Sequence, residues 1–289
     1  MNGQRVPWLT VVTAAYRAGA TIGRTLASVG EQTAAGIEHV VVDGGSTDGT
    51  VEQALAAPHR PRVVSQADHG VYDAFNRGLA LARGEFVQFL GADDVYAAPT
   101  AAASVRAALD RDPGLDLVHG DVDWVDARGR VVRTSRFHTA PGDLDPYRGL
   151  AVRMHLIHTA VVMRRSTIVA LGGFDATYRV AADYALVLSA WRAGSRFAHL
   201  PEVLVRMGVG GTSERLLAAR GLEVYRAARR LTGARRAPLL EALRFAATSV
   251  LGVWAPGLAS PLRRLKPRLQ ANGPSGERVH WTDAGLERA

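Results

Sequence analysis

The stretch "IEHVVVDGGSTDGTVEQALAA", residues 37–57, decides the fold. A Val-rich run of strand length ends on an acid, Asp43, a Gly44-Gly45 turn follows, and a helical pattern begins near Thr50. The same unit recurs on both sides: "LTVVT" (9–13) before "ATIGRTLASVGEQ", "PRVVSQ" (61–66) before "VYDAFNRGLALARG", and "EFVQFL" (85–90) before "APTAAASVRAALDRD". Such alternation predicts crossover βαβ units, hence an α/β fold with a mainly parallel, Rossmann-like sheet flanked by helices. Ligands bind such sheets beyond the carboxyl ends of the strands. That rule singles out residues 13–16 and 43–48, Asp68, and the adjacent pair Asp93 and Asp94.

The 289 residues are 47% hydrophobic, enough for one large domain and a smaller appendage. There is no cysteine, which excludes disulfides, thiolate metal sites and cysteine nucleophiles. The apolar run near the amino terminus is too short for a signal peptide, so a cytoplasmic location is the expectation. The net charge of +8 is concentrated: residues 201–289 carry 15 Lys and Arg against 7 acids, and the rest of the chain is neutral. That third is a candidate surface for membrane lipid headgroups, a phosphorylated carrier or nucleic acid, or simply a solvated face.

After Asp110 the rhythm changes. "LDLVHGDVDWVDARGRVVRT" predicts a strand and a hairpin turning at residues 127–129, a further strand is expected near "HTAVVMRR", and a helix over 181–194. From Ser213 the pattern is helical with Arg on its polar positions, and the tail beyond Gln270 reads as loose. The longest apolar stretch there, "FAATSVLGVWAP", falls short of the roughly 20 residues that span a bilayer.

Neither a G-x-x-x-x-G-K-[ST] loop nor G-x-G-x-x-G is present, which disfavours Walker ATPases and ordinary dinucleotide enzymes. Ser46, Thr47 and Asp48 read as helix caps. A carboxylate ending a Val-rich strand, as Asp43 does, needs a partner such as a base N–H or a ribose hydroxyl. Asp93 and Asp94 repel one another, and a hard divalent cation, Mg²⁺ or Mn²⁺, relieves that repulsion while sharing its coordination with a diphosphate.

Four ordered stretches, "TVVTAAYRAGATIGRTLASVGEQT", "EHVVVDGGSTDGT", "DHGVYDAFNRGLALARGEFVQFLGADD" and "GGFDATYRVAADYALVL", resemble the successive motifs of family 2 glycosyltransferases with the GT-A fold. The likeness is greatest to bacterial members that build surface polysaccharides, and it covers about residues 6–212. It implies a GT-A domain over 1–212 that binds a nucleoside-diphosphate sugar, followed by a helical extension over 213–289. By position, Ala14 and Tyr16 would pack on the base and Asp43 would accept hydrogen bonds from it. Asp68 and Asn76 would line the same pocket, with Ala92 beside them. Asp93 would contact the ribose or share the cation, Asp94 would bind the metal, and Asp183 would be the catalytic base. His158 falls where relatives carry a histidine near the diphosphate and metal, although the residues alone leave a core role equally open. "GVGGTS" (208–213) resembles a glycine-rich loop that can close on the donor. Two positions depart from the pattern: Val42 and Ala182 stand where many relatives carry an acid.

An inverting transferase needs a carboxylate to take the acceptor's proton and a metal to neutralise the departing diphosphate. The implied function is metal-dependent, inverting transfer of a sugar to a glycan or lipid-linked hydroxyl, with the Arg-rich extension docking on the inner face of the membrane. Two other readings stay open: a non-catalytic module binding membrane or nucleic acid through the Arg-rich third, which the lack of any nucleic-acid motif disfavours, and a sugar nucleotidyltransferase, for which "TAAYRAGA" is a poor loop. Asp183 could also be the amino-terminal cap of its helix, and Trp124, in the hairpin, either packs core or touches acceptor sugar.

Overall fold

The computed structural model describes residues 6–138, 145–209 and 217–233, together with 239, 243, 270–272, 278–282 and 285–288. The chain forms two compact units, and the division does not fall at 212. One unit holds residues up to 137, 156–174 and 196–209, and the other holds 138–155, 175–195 and 210 onward.

The first unit contains the four predicted strand–helix repeats. They are β1 (Leu9–Ala15) with α1 (Ile22–Gly30), β2 (Ile37–Asp43) with α2 (Thr50–Ala56), β3 (Arg62–Ser65) with α3 (Val71–Leu81), and β4 (Phe86–Gly91) with α4 (Ala101–Arg111). The two-residue β5 (Val95–Tyr96) precedes α4. The hairpin β6 (Leu117–Val125) and β7 (Val131–Ser135) follows, then β8 (Val161–Arg164), α5 (Arg165–Ala170) and β9 (Phe197–Gly208). The strands form one sheet in the order β3-β2-β1-β4-β8-β6-β9-β5, with β7 on β6. The β3-β2-β1-β4 half is parallel, as the alternation predicts. Beyond it the sheet is mixed, because β8 inserts antiparallel to both β4 and β6.

Central strands are apolar on both faces. Leu9, Val11 and Val12 of β1 and Val40 and Val41 of β2 are fully buried, and each such side chain contributes roughly 1.5–3 kcal/mol. The buried Thr10 hydroxyl donates to Glu38 (2.8 Å) and accepts from the Gly84 N–H (2.8 Å), so this polar group costs little. His39 of β2, also buried, joins the Thr13 hydroxyl (2.9 Å) to His59 (2.9 Å).

Register levels the strand ends. Ser65 pairs with Asp43, Asp43 with Ala15, and Ala14 with Gly91, so the polar residues after β1, β2, β3 and β4 meet along one edge. The sequence reading missed β9, whose run is interrupted by Pro201. Pairing with β6 shifts register between Gly120 and Asp121, where Leu200 gives way to Val203, so Pro201 sits in a bulge that needs no N–H from it.

In the second unit, α6 (Ala182–Arg192) and α7 (Leu217–Thr232) pack together. The Tyr184 hydroxyl donates to the Leu150 carbonyl (2.7 Å), and Arg230 pairs with Asp175 (3.0 Å). Beyond Gln270, where the sequence reads as loose, strands Gln270–Asn272, Arg278–Thr282 and Gly285–Arg288 pair antiparallel. "RVHWT" alternates polar and apolar residues, the strand period. The apolar stretch 245–256 and residues 210–213 of the glycine-rich loop lie outside the described residues. Among the described residues, no helix is long and apolar enough to cross a membrane.

Candidate functional site

Two loops at the strand ends are tied together by side chains from the β2–α2 connection. The Ser46 hydroxyl accepts from the Arg17 N–H (2.8 Å), Thr50 from the Ala18 N–H (2.9 Å), and Asp48 from the Gly19 N–H (2.9 Å). Of the expected caps of α2, Asp48 does bond its first residue, Oδ1 accepting from the Thr50 N–H (3.3 Å) and hydroxyl (2.5 Å). The cap position is Gly49, in the left-handed region at φ 85°, with no side-chain cap bond. The polar side chains hold the β1–α1 loop, where Arg17 also has a positive φ of 51° and Tyr16 stands 60% exposed.

Asp43 is the organiser of this clamp. Its Oδ2 accepts from the Gly45 N–H (3.0 Å), the Ser46 N–H (2.9 Å) and the Ser65 hydroxyl (2.6 Å), and its Oδ1 accepts from the Ser46 hydroxyl. Burial alone would raise its pKa, but the bonds from Ser46, Ser65 and Gly45 outweigh it and hold the carboxylate below its ordinary range. Asp43 has no exposed surface, so the partner its burial demands is the loop itself.

Tyr16 and Asp68 meet over Gly44. A Cβ there would stand 2.8 Å from Asp68 Oδ2 and 3.2 Å from Tyr16 Cδ2, so only glycine leaves this shelf open. Ala14 lies half-buried at the end of β1 behind it. Asp68 is steadied through Oδ1, which accepts from the Gly70 N–H (2.9 Å). An exposed aromatic face, an open glycine and a half-buried carboxylate together can hold a flat heterocycle and take a hydrogen bond from it.

Asn76 and Ala92 are placed differently from expectation. Asn76 spends both ends of its amide on one residue, donating to the Phe174 carbonyl (2.8 Å) and accepting from its N–H (2.9 Å). It anchors the "GGFD" loop. Ala92 packs in a small core with Ile22, Leu26 and Val41, beneath the loop.

The two aspartates after β4 separate by burial. Asp93 is exposed and Asp94 only 3% exposed. Both fold back over Gly91: a Cβ there would lie 2.9 Å from Asp93 Oδ1 and 3.1 Å from Asp94 Oδ2, and the Gly91 N–H donates to Asp94 Oδ2 (2.9 Å). Burial pushes the Asp94 carboxyl up to about 7 and the Asp93 charge adds to it, while the Gly91 N–H and nearby His158 pull it down. His158 opens a 3-10 turn ahead of β8. That turn is held by Gln88, which donates to the Thr159 carbonyl (2.7 Å) and accepts from the Tyr96 hydroxyl.

Two crowded carboxylates suit a hard divalent cation, whose charge would offset the repulsion the buried Asp94 feels. Among the described residues, no three His, Cys, Asp or Glu side chains form a metal-holding group. A cation that shares its coordination with a diphosphate needs only one or two protein carboxylates.

Asp183 belongs to the second unit. The cap position of α6 is Ala181, and Asp183 lies in the first turn, half-buried, its Oδ1 accepting from the Tyr184 N–H (2.8 Å). It is therefore not the cap. The chain just ahead of the helix is held by a residue the sequence reading missed, Glu223 of α7. Its Oε1 accepts from the Arg179 N–H (3.0 Å), and its Oε2 from Val180 (2.8 Å) and Ala181 (3.1 Å). The available signal was an acid one helical turn ahead of Ala227, in a helix whose Arg226, Arg229 and Arg230 are exposed.

Comparison with known proteins follows from this geometry. The sequence profile described as Glycosyl transferase family 2 matches residues 10–169. A PGL/p-HBAD biosynthesis glycosyltransferase of Mycobacterium bovis is 35% identical over 184 residues, covering 62% of this chain and 67% of the relative. The O-antigen biosynthesis protein RfbC of Myxococcus xanthus is 32% identical over 215 residues, 72% of this chain but only 16% of that protein. Among solved structures, S. aureus TarS 1-349 in complex with UDP superposes with a TM-score of 0.61 at 20% identity, covering 89% of this chain and 75% of TarS 1-349. The mannosyltransferase PcManGT from Pyrobaculum calidifontis, in complex with GDP-Man and Mn²⁺, gives 0.58 at 23% identity, covering 90% and 74%. At these identities the superpositions speak to the fold, which is the expected GT-A fold.

Proposed function

The chain belongs to glycosyl transferase family 2 and is a glycosyltransferase, and from that premise we propose that it transfers a sugar, with inversion, from a nucleoside-diphosphate donor to a hydroxyl acceptor. The observation that carries this reading is the pair over Gly91: exposed Asp93 and buried Asp94, at the sheet edge that also bears the Tyr16–Gly44–Asp68 shelf. Membership sets aside the non-catalytic module and the nucleotidyltransferase.

Tyr16 stacks on the base and Asp68 accepts from it, while Asp43 acts indirectly by fixing both loops. Asp93 meets the ribose or shares the cation. Asp94, with Asp93 or His158, holds Mg²⁺ or Mn²⁺, which when bound supplies positive charge to the departing diphosphate. Asp183 accepts the acceptor's proton as that oxygen attacks C1 of the sugar; the new C–O bond forms, and the pair of the old one leaves with the diphosphate. A first-turn position suits a carboxylate, since the helix amino terminus favours its charge.

The relatives named for PGL/p-HBAD and O-antigen biosynthesis support a cell-surface polysaccharide or glycolipid acceptor. Such an acceptor fits work at the inner face of the membrane, with the Arg-rich segment from 213 as one contact. A thermal-shift panel of nucleoside diphosphates with and without Mn²⁺ tests the donor side. A metal-dependent rise with one nucleotide is expected, and no rise with any of them refutes the donor pocket.

A further inference from the structure

The β6–β7 hairpin presents apolar side chains to water that its own unit does not cover. Val131 is 51% exposed, Val132 56% and, beside them, Val209 45%. These residues are neighbours across the sheet: the Val209 N–H donates to the Val125 carbonyl (3.0 Å), and Val125 pairs with Val131. Val132 is the extra residue of a bulge, since Val125 opposes Val131 and Trp124 opposes Arg133. A bulge re-aims side chains and twists an edge strand away from partners.

Cations accompany the valines. Arg128, Arg130, Arg133 and Arg206 are all exposed. Of the nearby acids, Asp126 pairs with Arg130 (2.7 Å) and Asp123 accepts from the Thr134 hydroxyl (2.6 Å), while exposed Asp93 lies beside Gly208 at the end of β9. The ring of Trp124 is buried under the Arg133 guanidinium, 4.4 Å from its centroid, which withdraws it from stacking on a sugar or a nucleobase. A second copy of this edge would bring arginines against arginines. Exposed branched aliphatics among exposed arginines match an anionic lipid surface, where the valines enter the headgroup boundary and the guanidiniums meet phosphates.

The place of the hairpin in the sheet agrees. Gln88 and Val118 both pair with Val162, so Gly91 and Asp121 are level, and β6 runs four residues further to Val125. The chain after β4 keeps pace with it: Val95 pairs with Arg206, which pairs with Asp123, and a Cβ on Gly208, the partner of Val125, would lie 3.6 Å from Asp93 Oδ2, so the hairpin turn stands at the same end of the sheet as Asp93. We propose that the β6–β7 hairpin, with the end of β9, docks the protein on an anionic bilayer surface and so faces the diphosphate end of the sheet toward it. This contact is separate from the segment beyond 213, and its binding does not depend on the transferase reading.

Vesicle co-sedimentation of the full chain tests it, with phosphatidylglycerol in phosphatidylcholine against phosphatidylcholine alone. Binding is expected only to the anionic vesicles, and it should weaken steeply between about 0.1 and 0.5 M salt. Arg128→Ser/Arg133→Ser/Arg206→Ser should lower the partition coefficient on the order of 100-fold, at roughly a factor of five per cation near such a surface. Val131→Ser/Val132→Ser, which removes no charge, should lower it on the order of 10-fold. Equal binding to neutral vesicles, no binding to either, or unchanged partition of either variant at wild-type melting temperature overturns the proposal. Donor binding, read separately by thermal shift, should be unaffected in both variants.

Discussion

Replacing Glu223 by alanine removes the acceptor of three backbone N–H groups at the start of α6, those of Arg179, Val180 and Ala181. Arg179 is exposed and water can replace its lost bond, but Val180 is 6% and Ala181 1% exposed, so two donors are left unpaired and buried. A hydrogen bond to a charged group contributes about 1.5–3 kcal/mol, and an orphaned buried donor costs about 1–3. The expected loss is therefore about 3–5 kcal/mol, or roughly 10 °C in melting temperature for a chain of this size. Glu223→Gln keeps one oxygen but turns an NH₂ toward an N–H, and should cost about half as much. Thermal unfolding followed by circular dichroism measures both. Activity adds a second readout, because Asp183 lies two residues beyond the last anchored N–H. A displacement of about 1 Å at a reacting group lowers turnover on the order of 100-fold, so kcat should fall while donor KM stays near wild type. If Glu223→Ala melts within about 1 °C of wild type and turns over at its rate, the carboxylate does not hold α6 and the reasoning fails.

Asp183→Asn should cut transfer roughly 10²–10⁴-fold while leaving the thermal shift with nucleoside diphosphate intact, and Asp94→Asn should abolish the Mn²⁺-dependent part of that shift. Steady-state rates beside a melting panel separate the two, and equal effects of both variants on nucleotide binding would sink the division of roles. Asn76→Ala should destabilise by about 2 kcal/mol, the worth of two partly buried bonds, without changing nucleotide affinity; denaturant midpoints and calorimetry decide it. His39 has its pKa lowered by burial, and further by His59, from the usual 6.5 to about 3. As pH falls below 6.5 the unfolded chain takes up this proton and the folded chain does not. The stability held above 6.5 should therefore be lost toward pH 3, by about 2 kcal/mol on reaching pH 5. Urea unfolding against pH shows it, and His39→Gln should flatten that stretch of the curve.

The strand–helix repeats were legible because β1, β2 and β4 are buried on both faces, which leaves continuous apolar runs, and a helical pattern follows each strand. β9 was not, since Pro201 breaks the run and only the bulge opposite Gly120 explains why a strand tolerates it. The polar strand ends do meet along one edge of the sheet. Which of them reach a ligand depends on three-dimensional partners that a sequence does not display. Asp43 looked like a ligand because a strand-end carboxylate needs a partner, but Ser46 and Ser65 fill that need. Asn76 was placed in the pocket by its position in a motif, yet its partner lies 98 residues along the chain. Glu223 escaped notice for the same reason: its role is defined by three N–H groups more than 40 residues earlier, just ahead of α6.

The insertion of β8 between β4 and β6 also bears on how the chain is made. Phe86, Val87 and Gln88 pair on one side with β1, which emerges before them, and on the other with residues 162–164 of β8. Some 70 residues must still be synthesised before that second partner exists, about 4–15 s at ~5–20 residues per second. Throughout that interval the growing chain carries an apolar, unpaired strand edge in the middle of its future sheet, a template for pairing with a neighbouring nascent chain. Fragments that end before 161 should keep that edge open for good, so yield of soluble protein is expected to drop sharply for truncations on the amino-terminal side of β8.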